Sequence, residues 1–170
     1  MLGNDYRHQD CTLARALEVI GERWTLLIVR DAFYGVRRYN DFATHLDLPR
    51  GVLADRLRGL VDDDILDRLP DPEHAGRHVY QLTAAGRDLW PVLYSLLVWG
   101  EQHRQPNSRV FKHAECGTRL DPRGHCARCA LTPEPEDIVT EPRHGRPRLR
   151  DDRVATALAT QRRLLDPLTV

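Results

Sequence analysis

No apolar run in this 170-residue chain approaches the roughly 20 residues that a bilayer-spanning helix needs. The opening stretch MLGNDYRHQD lacks the hydrophobic centre of a secretory signal. Membrane insertion and export are therefore not expected, and the cytoplasm is the expected compartment. Net charge is missing too: 25 basic residues balance 25 acidic ones. The chain is thus no polybasic binder in bulk, and contact with phosphate must come from local clusters of cations. Lysine is nearly absent, Lys112 being the only one. No phosphate loop, nucleophilic triad or pair of catalytic carboxylates stands out, so an enzyme is not expected.

What is present divides by composition into three regions. Residues 1–104 are rich in Leu, Val, Ile and Trp and poor in Pro, enough for one domain with its own core. Residues 105–132 hold three of the four cysteines. Residues 133–170 open on PEPEDIVTEPRHGRPRLR, too rich in proline and charge to build a core. A linker or extended arm is expected there, with a short helix at RVATALATQRRLL.

Within the first region Leu13, Leu17, Ile20, Trp24, Leu27 and Ile28 recur at steps of three and four, with Gly21 permitting a break between two helices. Leu89, Val92, Leu93, Leu96 and Leu97 repeat the signal in a helix expected over Ala84–His103, with Thr83 as its cap. Two shorter helical patterns, Arg38–Leu46 and Gly51–Val61, are joined by DLPRG, where Pro49 stops the first. Leu53, Leu57 and Leu60 form the apolar stripe of the second. A hairpin then follows, with strands near Leu66–Leu69 and His78–Leu82 and a loop at Pro70–Arg77. The order predicts a mainly α fold with a small β hairpin, a winged helix-turn-helix.

Several ordered motifs carry a resemblance: CTLARALEVIGERWTLLIVRDAFYGVRRYNDFATHLDLPRGVLADRLRGLVDDDILDR, then YQLTAAGRDLWPVLYSLLVWG. Over about Cys11–Gly100 the chain resembles the HxlR-type family of bacterial winged helix-turn-helix regulators, relatives of the MarR type. The resemblance implies a cytoplasmic homodimer on near-palindromic double-stranded DNA. It makes RRYNDFATHL the supporting helix, RGVLADRLRGLV the recognition helix and Pro70–Arg77 the wing, with dimerisation through Leu13–Ile20 and Ala84–His103. Two departures stand out: LPRG replaces the small polar residue that usually starts the recognition helix, and VDDDILD places three aspartates after it. The expected function is a sequence-specific regulator, a repressor on an inverted-repeat operator, responsive to a small molecule or a redox signal. The competing reading is a winged-helix interaction module that no longer binds DNA, marked by acidic side chains over the outer face of Gly51–Val61.

Arg50, at the helix entrance, is the candidate for a guanine, whose two acceptors a guanidinium pairs with. Arg56 and Arg58 are candidates for phosphate or groove-wall contacts, and Asp55 either accepts from cytosine or orients Arg58. Arg77, in the wing, is a candidate for the minor groove or its phosphates, with His74 and His78 as pH-dependent cations. Arg37 and Arg38 are candidates for the DNA backbone.

His113, Cys116, Cys126 and Cys129 form H-x2-C and C-x2-C pairs, the donor set of a closed tetrahedral zinc site. A structural zinc clip, a metal-free tail and a redox site are the three readings of that pattern. Cys11 stands alone near a helix start, either packed as a small hydrophobe or reactive as a thiolate. Trp24, Phe33, Tyr94 and Trp99 either line a cavity or fill the core.

Overall fold

Helical periodicity in the first third becomes four helices: α1 (Thr12–Ile20), α2 (Thr25–Phe33), α3 (Tyr39–Leu46) and α4 (Arg50–Asp62). The computed structural model describes residue 6 and residues 8–145 and 150–170. Ile28, Val29 and Phe33 make α2 the central helix, since none of them reaches solvent. α3 ends on Asp47 in the left-handed region, and Pro49 in an extended conformation starts α4. Two abrupt backbone changes within three residues force the helix pair to cross, while the buried Leu48 pins the turn to the core.

The hairpin is antiparallel, β1 (Leu66–Pro70) on β2 (His78–Leu82), in a register running from Leu66 opposite Leu82 to Pro70 opposite His78. The single helix expected over Ala84–His103 is two: α5 (Ala84–Arg87) and α6 (Trp90–His103). Pro91 accounts for the interruption, because it lies in the first turn of α6, where its missing N–H costs nothing. The Thr83 hydroxyl oxygen caps α5, accepting from the Gly86 N–H at 3.0 Å. Gly86 lets α5 lie flush on the hairpin, for a Cβ there would come within 2.2 Å of the Ile65 carbonyl oxygen.

The region after residue 132 departs from expectation. It is no free arm but part of a three-stranded antiparallel sheet in the order β3-β4-β5, from β3 (Arg109–His113), β4 (Ile138–Pro142) and β5 (Arg162–Arg163). A short helix, α7 (Arg153–Ala157), lies within the segment where one was expected. Ile138, Thr140, Val154 and Leu164 are fully buried. These buried residues fall on a strand, on a single helical turn and just after a two-residue strand, so no sustained period announces them.

The segment shares the core of the helical domain. Phe111 on β3 packs edge-on to Trp90 and Tyr94 of α6, with ring centres 5.4 and 5.6 Å away. The chain end then runs past α2, where the N–H groups of Leu165 and Leu168 donate to the carbonyls of Phe33 and Gly35, each at 2.8 Å. Gly35 is obligatory there: its φ is +85°, and a Cβ would sit 1.9 Å from the Asp166 carbonyl oxygen. α7 docks on α3 through Arg153 to Asp41 at 2.5 Å, and Arg150 donates to the Thr44 carbonyl at 2.9 Å.

Candidate nucleic-acid interface and metal centre

α4 is amphipathic across its short axis. Leu53, Leu57 and Leu60 are buried on the side of α3 and the hairpin, leaving Arg50, Val52, Asp55 and Arg58 outward. Arg50 opens the helix with an exposed side chain that forms no ion pair with a described residue, and its carbonyl accepts the Tyr39 hydroxyl at 2.7 Å. That bond ties the supporting helix to the start of α4. Asp55 and Arg58 pair at 3.2 Å on the same exposed face, so Asp55 orients the neighbouring arginine. Asp62, Asp63 and Asp64 lie at the opposite end of α4, about 18 Å from Arg50 at 1.5 Å per residue. The acidic run is thereby kept away from the helix entrance.

Other candidates are engaged within the protein. Arg56 is half-buried and leans toward the α1–α2 connection, 3.2 Å from Glu22. Arg38 immediately precedes α3, and its side chain reaches Asp71 at 3.0 Å and Glu73 at 2.5 Å. Asp71 is itself buried; the Glu73 N–H donates to its carboxylate at 2.9 Å, and His74 stands 3.3 Å away. The Glu73 N–H first, and Arg38 with it, hold the Asp71 carboxyl below the ordinary carboxylate range. Arg38 therefore braces the base of the wing, while Arg77 is exposed near its tip. Arg37 is half-buried, its carbonyl accepting the Tyr80 N–H at 2.8 Å. Sequence reasoning missed Arg68, an exposed cation on β1 that donates to His78 Nδ1 at 3.0 Å across the hairpin. Its place in LDRLP, on a strand leading into the wing, was the signal available for it.

On α1 and α6 large apolar side chains point away from the core. Leu13 is 64 % exposed, Leu17 39 %, Leu96 47 % and Trp99 50 %. Cys11 is the exposed residue preceding α1, and the backbone N–H groups of Ala14 and then Leu13 lower its thiol pKa, with Arg15 adding to the effect. Phe33 and Tyr94 are core residues, as Trp90 is; Trp24 is half-buried and Trp99 exposed. None of Trp24, Phe33, Tyr94 or Trp99 lines the cavity beside Tyr34.

His113, Cys116, Cys126 and Cys129 converge. Their ligand atoms all lie within 4.8 Å of one another, with Cys116 Sγ 3.5 Å from His113 Nδ1 and 3.4 Å from Cys126 Sγ. Around a tetrahedral zinc with sulfurs at about 2.3 Å, neighbouring donors stand about 3.8 Å apart, so the set fits such an ion. Two tight turns create it: one after β3, where the Gly117 N–H donates to the His113 carbonyl at 2.8 Å, and one closed by the Cys126 N–H on the Leu131 carbonyl at 2.8 Å. Thr118, followed by the adjacent thiols, lowers Cys116 to about 6, whereas Cys116 and burial push Cys129 up to about 11. Three thiols and one imidazole form a donor set suited to a soft divalent cation. The clip is held to α6, for the Tyr94 hydroxyl donates to the Asp121 carbonyl at 2.9 Å.

A family model described as HxlR-like helix-turn-helix matches residues 19–108. The uncharacterized HTH-type transcriptional regulator Rv3095 of Mycobacterium tuberculosis (strain ATCC 25618 / H37Rv) is 41% identical over 143 residues, covering 82% of this chain and 90% of that protein. Among solved structures, the transcription-factor candidate PA1607 superposes with a TM-score of 0.63 at 33% identity, over 78% of this chain and 94% of that one. The redox regulator HypR in its reduced form gives 0.51 at 29% identity, over 55% of this chain and 94% of that one. The matches to Rv3095 and PA1607 cover too much of this chain to end at residue 108, while HypR leaves nearly half of it unmatched.

Proposed function

Because the chain belongs to the HxlR-like helix-turn-helix family, we propose that it is a homodimeric repressor that reads an inverted-repeat operator. The observation that carries this reading is the outward face of α4, where Arg50 stands exposed at the helix entrance while the leucines behind it are buried. Arg50 contacts base edges, and Arg58 and Arg77 contact phosphates on either side of it. Arg56 and Arg38 hold α4 and the wing in place rather than touching DNA. Arg37 is retained as a backbone contact at the base of α3. Asp55 is the one carboxylate on the outer face of Gly51–Val61, which favours nucleic acid over an acidic protein-binding surface.

The exposed apolar residues of α1 and α6 are the dimer surface in this reading. Two protomers joined there place two copies of α4 about 34 Å apart, one turn of duplex. His113, Cys116, Cys126 and Cys129 hold one structural zinc that fixes the sheet beside α6. Since HypR is a redox regulator, Cys11 is the proposed oxidant-responsive thiol, its exposure and lowered pKa suiting that role.

The test is fluorescence anisotropy on duplex DNA from the promoter beside the protein's own gene. Wild type binds that duplex in preference to a scrambled one, and Arg50→Ala removes the preference. Equal binding of both duplexes by wild type excludes an operator reader.

A further inference from the structure

A cavity of about 750 Å³ lies where α2, α3, α6 and the C-terminal segment meet. That volume is typical of sites for small organic ligands. Its walls are apolar at Leu96 and Leu97 of α6 and at Ala155 and Leu158 around α7. Its charged groups are the arginines Arg30, Arg104, Arg109 and Arg150 against the single carboxylate of Glu101, with His45 and uncharged polar groups supplying the rest of the polar lining.

Most of these charges are already matched. Arg30 pairs with Asp31 at 2.7 Å, Arg150 with Asp152 at 3.0 Å, and Glu101 with Arg143. Arg109 is different. It is only 8 % exposed, and it forms no ion pair with a described residue. Its Nε donates to the Thr140 hydroxyl at 3.0 Å and its Nη1 to the Leu158 carbonyl at 2.7 Å, while the buried Nη2 has no hydrogen-bond partner. Arg109 and Arg30 stand 5.3 and 5.9 Å from the centre of the Tyr34 ring, so two cations flank one aromatic in the cavity wall. A buried guanidinium without a counter-charge is unfavourable. A carboxylate is its natural complement, supplying the missing counter-charge and an oxygen that accepts from the unpartnered Nη2.

We propose that this cavity binds a small organic acid, its carboxylate against Arg109 and its apolar body along Leu96, Leu97 and Leu158. His45 belongs to the supporting helix and Leu96 to the dimer helix. The ligand therefore touches the DNA-reading unit and the dimer surface together. This names the class of effector for the regulator proposed above and rests on that reading for its consequence at DNA, but ligand binding is measurable on DNA-free protein.

The experiment is calorimetry on the full-length protein with 2-naphthoate and decanoate, each set beside its neutral amide. At least one acid binds about tenfold or more tightly than its amide, as a charge-assisted pair requires, and Arg109→Gln removes the difference. Should Arg109→Gln fail to fold, Gly100→Leu decides. Gly100 lines the cavity, a Cβ there meets nothing within 4 Å, and leucine favours a helix over glycine. The variant folds, fills the space and weakens the acid at least tenfold. Acids and amides binding alike, neither acid binding, or Gly100→Leu leaving acid affinity unchanged would each overturn the assignment. A failed promoter experiment, by contrast, removes the DNA reading and leaves this result standing.

Discussion

At the residue scale, arginines that look equivalent in sequence have different work. Arg50 is first on its helix and forms no ion pair with a described residue, whereas Arg56 and Arg38 are tied to Glu22 and to the Asp71–Glu73 pair. Arg50→Ala should weaken operator binding by about 1–3 kcal/mol and flatten sequence preference. Arg56→Ala should leave the preference intact and lower the unfolding midpoint, which a salt series of anisotropy titrations paired with urea unfolding distinguishes. Asp71 gives a pH signature. Its folded pKa is depressed, so its contribution to stability is complete above the ordinary carboxylate value of about 3.9 and disappears as pH falls through the lower folded value. Hydrogen exchange in Pro70–Arg77 should stay slow from neutrality to about pH 4 and accelerate only below it, and Asp71→Asn should abolish that acid transition. Sequence supplied the residue types for all of this but not their partners, because the partner of Arg38 lies more than thirty positions away.

At the element scale, helices and hairpin were legible because local chemistry specifies them. Periods of three and four, Thr83 as a cap, Pro49 as a stop and the turn-rich tip of the hairpin all act within a few residues. The split between α5 and α6 was signalled by Pro91 but obscured by an apolar period that continues across it. The exposed apolar faces of α1 and α6 were legible as apolar stripes, and only the resemblance proposed a dimer partner for them, since a stripe facing a partner and one facing a core have the same period. Leu13→Glu with Leu17→Glu should convert a dimer to a monomer in sedimentation equilibrium while leaving the helical circular dichroism unchanged, since both residues are exposed in the single chain. The H-x2-C and C-x2-C pairs were legible as a donor set, and the turns after β3 bring them together. Elemental analysis should find one zinc per chain in wild type and none in Cys126→Ser, with a lower melting temperature in the variant.

At the scale of the whole molecule, the C-terminal segment changes what the domain is. Phe111, Ile138, Val154 and Leu164 complete a core that also contains Phe33 and Trp90. Ending the chain at residue 108 should therefore strip cover from Trp90 and Tyr94 and yield a protein that unfolds at lower temperature and aggregates. The milder change Phe111→Ala should cost about 3–5 kcal/mol by urea unfolding. Gly35→Ala should destabilise as well, since the chain end passes too close for any side chain there.

Patterns with short range, the helix periods, the caps, the turn residues and the spacing of the four metal-ligand candidates, are written in the sequence, because the forces behind them act between neighbours along the chain. Only the tertiary structure decided which arginines are paired, that the proline-rich end folds onto α2 and α3, and that Arg109 is buried at the edge of a cavity with no counter-charge among the described residues. Those outcomes depend on which distant groups share the same low-dielectric space, and nothing local encodes that.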